Sequence, residues 1–303
     1  MKPAILVLGS VNRDLIVHAP RLPQPGETLR GQRFGSCLGG KGANQAVAAA
    51  RLGAAVALAA RIGQQENGAA MVASLRAEGV DVSAVLQPAD ETPGVALIVV
   101  GAEDGENQIV TVAGSNGRVS VEQVDALELD GVQWLVLQQE LPLPVIERAL
   151  ERARQSGVRS LLNAAPFREE GRALLPRVDV LVVNETEAEA FLRAPLADPI
   201  QAARALRALG PLAVLLTLGS EGAVWVDGQQ QLRVSARKVQ AVDTVGAGDT
   251  LVGALVTALS EGQSLEVALQ FSQAAAAWAV SHPGVQDAMP RRAELDAWME
   301  QHA

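Results

Sequence analysis

Short, unbroken apolar runs alternate with helix-like segments along most of this chain. The apolar runs fall at residues 5–9, 55–60, 134–137, 158–162, 178–183 and 212–217. Helical spacing marks 42–52, 66–78, 145–155, 185–192, 202–209, 251–259 and 265–280 between and after them. A strand that is apolar at every position, not every second one, must be covered on both faces. Helices in the connections supply that cover and favour parallel pairing. The expected fold is therefore a three-layer αβα domain with a mostly parallel central sheet. Its 303 residues, 49% of them hydrophobic, can fill one large core, so a single domain over 1–303 is expected. In such sheets ligands gather beyond the carboxyl ends of the strands, so the polar residues that follow each apolar run are the ones to inspect.

Two segments interrupt the alternation. Residues 14–35 carry Pro20, Pro23 and Pro25 between strand-like pieces at 15–19 and 28–34. Residues 94–100 and 108–113 read as a hairpin about the polar stretch 103–106. No helix separates the members of either pair, so these pieces are expected to form a small antiparallel sheet. Projecting from an α/β domain, the segments 14–35 and 94–113 would act as a lid.

The charge balance narrows the partners. With 34 acidic against 25 basic residues the formal charge is -9, which disfavours nucleic acid and anionic membranes. No apolar run approaches the ~20 residues of a membrane helix. The opening MKPAILVLGS has too short an apolar run for a signal peptide and reads as a buried strand. A lone cysteine, Cys37, cannot form an internal disulfide and suits a cytoplasmic protein.

The stretch DTVGAGDT at 243–250 precedes an apolar helix. Gly246 and Gly248 permit close approach of a ligand to the backbone. The unpaired N–H groups at the helix start, with the helix dipole, make an anion hole suited to a phosphoryl group. Asp249 beside that hole would repel phosphate unless it took a proton from the attacking hydroxyl. The competing structural reading makes Asp249 a helix N-cap. Two other glycine patterns fail. The run GSCLGGKG at 35–42 has Gly42 where a P-loop needs serine or threonine, and the dinucleotide fingerprint lacks its third glycine after Gly248.

Other strand ends carry Asn12 and Asp14, then Gly39, Gly40, Lys41 and Asn44, then Gln138, Gln139 and Glu140. Carboxylates accept from paired hydroxyls while amides and ammonium donate, so together these suit a polyol. Asn184 and Glu187 after the run at 178–183 fit either a capping box or a phosphate and water-bridged Mg²⁺ site. Thr217, Gly219, Ser220 and Gly222 fit either a nucleotide or a tight turn.

The motifs GSVNRD, GGKGANQA and DTVGAGDT, with NETEAE and TLGSEG in order, make the chain resemble the PfkB sugar-kinase family almost end to end, and the ribokinase group within it. The resemblance implies transfer of phosphate from ATP to the 5-hydroxyl of D-ribose. It implies Asp249 as base and Gly246, Ala247 and Gly248 as anion hole. Asn12, Asp14, Gly40, Lys41, Asn44 and Glu140 would hold the sugar, and Asn184, Thr217, Gly219, Ser220, Gly222 and Gln273 the ATP. Glu187 would organise Mg²⁺ through water. An activating monovalent cation, usually K⁺, would lie at Asp243, Val245, Ala279, His282, Gly284 and Ala288; Ala288 stands where the group often has serine. Arg13, at a position usually small, would point away from the sugar. A homodimer through the lid is also implied. Fructose, 2-deoxyribose or a keto-sugar acid are alternative substrates, and a non-catalytic sugar sensor is the alternative of another class. With aromatics at 3% and Phe34 alone in the lid segments, a nucleoside substrate is disfavoured.

Overall fold

The computed structural model describes residues 2–101 and 107–302. In chain order the strands are β1 (Ile5–Leu8), β2 (Asn12–Ala19), β3 (Arg33–Gly39), β4 (Val56–Arg61), β5 (Val85–Leu86), β6 (Gly94–Gly101), β7 (Asn107–Val112), β8 (Trp134–Gln138), β9 (Arg159–Asn163), β10 (Val180–Asn184), β11 (Ala213–Thr217), β12 (Ala223–Val226) and β13 (Gln231–Val234). The helices are α1 (Lys41–Arg51), α2 (Gly68–Ala77), α3 (Val121–Asp125), α4 (Leu143–Gln155), α5 (Glu185–Leu192), α6 (Pro199–Arg207), α7 (Ala247–Ser260), α8 (Leu265–Val280) and α9 (Arg292–Gln301).

The main sheet runs β13-β12-β11-β10-β9-β8-β1-β4-β5. From β11 to β5 every pairing is parallel, and β12 and β13 close one edge as an antiparallel hairpin. Successive side chains of one strand enter opposite layers, as the twofold period of a strand requires. Ile5 and Val7 pack with α1, α2, α7 and α8, whereas Leu6 and Leu8 pack with α4, α5 and α6. The three-layer expectation therefore holds, and the C-terminal ends of β1, β8, β9, β10 and β11 share one rim.

The lid sheet has the order β3-β2-β6-β7, and it corrects the expectation of an all-antiparallel sheet. β2 pairs antiparallel with β3 but parallel with β6, from Asn12 opposite Gly94 to Ala19 opposite Gly101. The chain reaches β6 only after crossing the main domain through α1, β4 and α2, and such a crossover delivers a parallel neighbour. The strand expected at 28–34 is also displaced. Residues 20–32 are irregular, with a turn closed by Glu27 N–H to the Gln24 carbonyl, and the strand occupies Arg33–Gly39. The hairpin turn expected at 103–106 lies outside the described residues. Phe34, Leu97, Ile109, Val110 and Val112 of the lid are exposed. Among the described residues no helix is long and apolar enough to cross a membrane.

Candidate active site

Helix α7 begins at Ala247 after Gly246, whose φ of 79° is left-handed. A Cβ there would also meet Val285 Cγ1 at 2.7 Å, so glycine is required twice over. At Gly248 the backbone is open and a ligand can approach. Asp249 is not the N-cap. It is the third residue of the helix, buried at 6% exposure, and both its oxygens accept from α1. Asn44 Nδ2 donates to Oδ2 and Gln45 Nε2 to Oδ1, each at 2.9 Å. The two helices approach closely because Gly253 of α7 lies against Ala48, where a Cβ would stand 2.5 Å from the alanine methyl.

Gln45 was not among the sequence candidates. Its Nε2 also donates to Asn163 Oδ1 at 3.1 Å, and its Oε1 accepts from Gln138 Nε2 at 2.7 Å. Asn163 and Gln138 sit at the ends of β9 and β8, so two strand ends support the Asp249 carboxylate through Gln45. A glutamine in an otherwise alanine-rich helix was the available signal.

The polyol candidates gather at the foot of the lid. Asn12 and Asp14, two apart on β2, are both buried on one face. Arg13 turns the other way, its Nε donating to Ser36 Oγ at 3.2 Å. Asn12 Oδ1 accepts from Asn116 Nδ2 at 2.8 Å, and Asn116 is itself pinned to the Val11 backbone, a second residue that the sequence reading missed. Among the described residues Asp14 Oδ1 has no partner. Burial, and then the carboxylates of Glu140 and Asp249, push the Asp14 pKa up to about 7. Only glycine fits at 39, since a Cβ would overlap the Asp14 carboxyl, and Gly40, with φ of 88°, lies against the backbone of Ser10 and Asn12. Glu140 accepts from Lys41 N–H at 3.1 Å and from Ser10 Oγ. It thus caps α1 as well as facing the site.

Lys41 opens α1 beside them. With Asn163, Asn184, Glu187, Thr217, Gly246, Gly248 and Asp249 it lines a cavity of about 200 Å³. Burial works to lower its pKa, but Asp249, Glu140 and Glu187 outweigh this and hold the ammonium above its ordinary value. Asn184 and Glu187 form the capping box: Asn184 N–H donates to Glu187 Oε2 at 2.9 Å, and Glu187 N–H to Asn184 Oδ1 at 2.8 Å. The Glu187 carboxyl still borders the cavity, its pKa raised chiefly by burial. The capping box therefore does not withdraw the pair from the cavity wall. Its oxygen donors beside a phosphate-sized space fit water-mediated Mg²⁺.

The remaining nucleotide candidates are not brought to that cavity. Gly219 and Ser220 form an exposed turn after β11, and Gly222 is required where the backbone crosses Val234. Gln273 of α8 lines a separate cavity of about 370 Å³ with Val234, Ser235, Arg237, Glu266 and Gln270.

The cation candidates lie on two loops that meet. Asp243 Oδ1 accepts from Val245 N–H at 3.0 Å and Oδ2 from Gly284 N–H at 3.3 Å. His282 stacks on Trp278 with its Nδ1 2.8 Å from the Trp278 carbonyl, and its backbone N–H donates to the Ala279 carbonyl. Ala288 is buried and offers no side-chain oxygen. Among the described residues no three His, Cys, Asp or Glu side chains cluster into a metal centre, so a cation here would depend on Asp243 and backbone carbonyls. Such hard oxygen donors fit K⁺.

Comparison with known proteins agrees with this geometry. The model of the pfkB family carbohydrate kinases matches residues 2–292. The chain is 40% identical to a ribokinase of Haemophilus influenzae, covering 99% of both, and 34% identical to a deoxyribokinase of Salmonella typhi, covering 97% of this chain and 98% of that one. A solved structure of Arabidopsis thaliana ribokinase complexed with ribose and ATP superposes with a TM-score of 0.89 at 31% identity over 99% of each chain. With the family model matched over nearly the whole length and a relative 40% identical from end to end, the chain belongs to the pfkB family of carbohydrate kinases.

Proposed function

We propose that this protein transfers the γ-phosphoryl group of ATP to the 5-hydroxyl of D-ribose, giving ADP and D-ribose 5-phosphate. The observation that carries this reading is Asp249, buried and aimed by Asn44 and Gln45 at the mouth of the α7 anion hole. The similarity to ribokinases, one of them complexed with ribose and ATP, supports the choice of substrates.

In this reading the sugar lies at the foot of the lid, its hydroxyls donating to Asp14 and Glu140 and accepting from Asn12 and Asn44, against the Gly40 backbone. The sheet of β2, β3, β6 and β7 covers it. Asp249 takes the 5-hydroxyl proton as the oxygen attacks phosphorus. The N–H groups around Gly246, Ala247 and Gly248 stabilise charge on the transferring phosphoryl oxygens. Lys41 and Asn184 hold the phosphates, while Thr217, Gly219, Ser220, Gly222 and Gln273 flank the nucleoside. Glu187 would hold Mg²⁺ through water, and the bound ion would supply charge neutralisation on the phosphates. Asp243, Val245, Ala279, His282, Gly284 and Ala288 would hold K⁺, which would add positive charge beside the hole.

Three wider assignments accompany this one. The exposed apolar residues of the lid suit pairing of two copies through that sheet. The formal charge of -9 suits small-molecule partners over nucleic acid or anionic membrane, and the single Cys37 suits the cytoplasm. The test of the reaction is ³¹P NMR of a mixture of protein, Mg-ATP and D-ribose. A phosphomonoester coupled to the C5 protons, with ADP, is expected; ADP without a sugar ester would reject the assignment.

A further inference from the structure

We propose that Gln286 is a positioning residue, fixing the Asn44 carboxamide so that its amino group faces Asp249. The proposal rests on the base assignment above. Gln286 lies on the loop after α8, remote in sequence from both partners. Its Nε2 donates to Asn44 Oδ1 at 3.0 Å, and Asn44 Nδ2 donates in turn to Asp249 Oδ2 at 2.9 Å.

A carboxamide is nearly symmetric in shape, so packing alone does not choose which end meets Asp249. The two ends differ by a full hydrogen bond: nitrogen donates to the carboxylate, whereas oxygen repels it. The carboxylate favours nitrogen, and a donor bound to Oδ1 reinforces that choice and fixes the plane of the amide; Gln286 is that donor. Gln286 is held in place from behind. Its carbonyl accepts from Arg51 Nη1, which also binds the Met289 carbonyl at 3.0 Å, while Arg51 Nε and Nη2 grip Glu78 at 2.8 and 2.7 Å. The line Glu78–Arg51–Gln286–Asn44 thus extends to the base from the outer end of α2. Gln286 also stands between Gly284 and Ala288, so the loop that carries the cation candidates His282, Gly284 and Ala288 reaches Asn44 through this side chain.

The test uses Gln286→Met, which keeps length and removes the donor, and Gln286→Glu, which keeps shape and turns donor into acceptor. The carboxylate introduced by the second change would draw the Asn44 amino group to itself and turn Oδ1 toward Asp249. Both variants are expected to lose kcat about tenfold or more, because a small displacement of a reacting group is costly, with KM for ATP within about twofold. In the free protein the Asn44 side-chain amide signals, assigned with Asn44→Ala, should shift in both and lose exchange protection in Gln286→Met. Unchanged Asn44 amide signals overturn the proposal whatever the kinetics show, and so does kcat within about twofold of the parent in both variants. Absence of sugar-dependent ADP from the parent protein would reject the kinase reading instead, and the amide signals alone would then decide the role of Gln286.

Discussion

Asp14→Asn is expected to make the sugar-free protein more stable and the sugar complex weaker. Asp14 is buried, one oxygen lacks a partner among the described residues, and two carboxylates act on it. Burial first, then Glu140 and Asp249, raise its pKa from an ordinary 3.8 to about 7. The folded state therefore holds the proton more tightly than the unfolded one. Between pH 3.8 and about 7 the native protein binds more protons, so stability falls as pH rises through that window and levels off above it. Three units at 1.36 kcal/mol each set the penalty at about 4 kcal/mol by pH 8. An asparagine must still bury its amide, so the net gain in the variant is about 2 kcal/mol, or about 4 °C in Tm. Urea unfolding at pH 5, 6, 7 and 8 measures it: the stabilities of the two proteins should diverge as pH rises. Ribose hydroxyls donate best to the ionised form, so calorimetry should show parent affinity rising from pH 6 to 8 with proton release. The asparagine variant should bind at least tenfold more weakly with no such slope. A variant less stable than the parent at pH 8, with the same pH slope, would refute this account of Asp14.

Glu140→Ala should cost sugar affinity and also about 1 kcal/mol of stability, because α1 loses the acceptor of the Lys41 N–H; sugar affinity equal to the parent's would remove Glu140 from the site. Changing Phe34 and Leu97 to serine, two exposed apolar residues of the lid, should shift the protein from dimer to monomer in sedimentation equilibrium without lowering Tm. An unchanged association state would move the interface elsewhere.

The layered fold was legible because β1, β8, β10 and β11 are apolar at nearly every position, and only a sheet covered twice produces that pattern. The lid was half legible. Its existence followed from strand pieces without helices, but the parallel β2–β6 pairing joins segments about 80 residues apart, and no local period reports such a partner. The hairpin β12–β13 and helix α9 went unread; β13 is short and half exposed, so its apolar signal is weak. In the site, Asp249, Asn44 and Asp14 were visible because each follows glycine or a strand end. Gln45, Gln138, Asn163 and Asn116 were harder to place, since a buried amide is distinguishable from a surface one only when its partners are known. Lys41 lines the cavity that Asp249, Asn184 and Glu187 share, a neighbourhood its position in the sequence does not report.

Asp249 is the centre of the whole account, and single-turnover ADP formation with Mg-ATP and saturating D-ribose tests it most directly. The parent protein should form ADP in step with ribose 5-phosphate. Asp249→Asn should retain ribose binding by calorimetry while its turnover falls by about 10² or more, the scale of a positioned base. Turnover within a few-fold of the parent in that variant would contradict Asp249 as the base and, with it, the reading of the α7 start as the reaction centre.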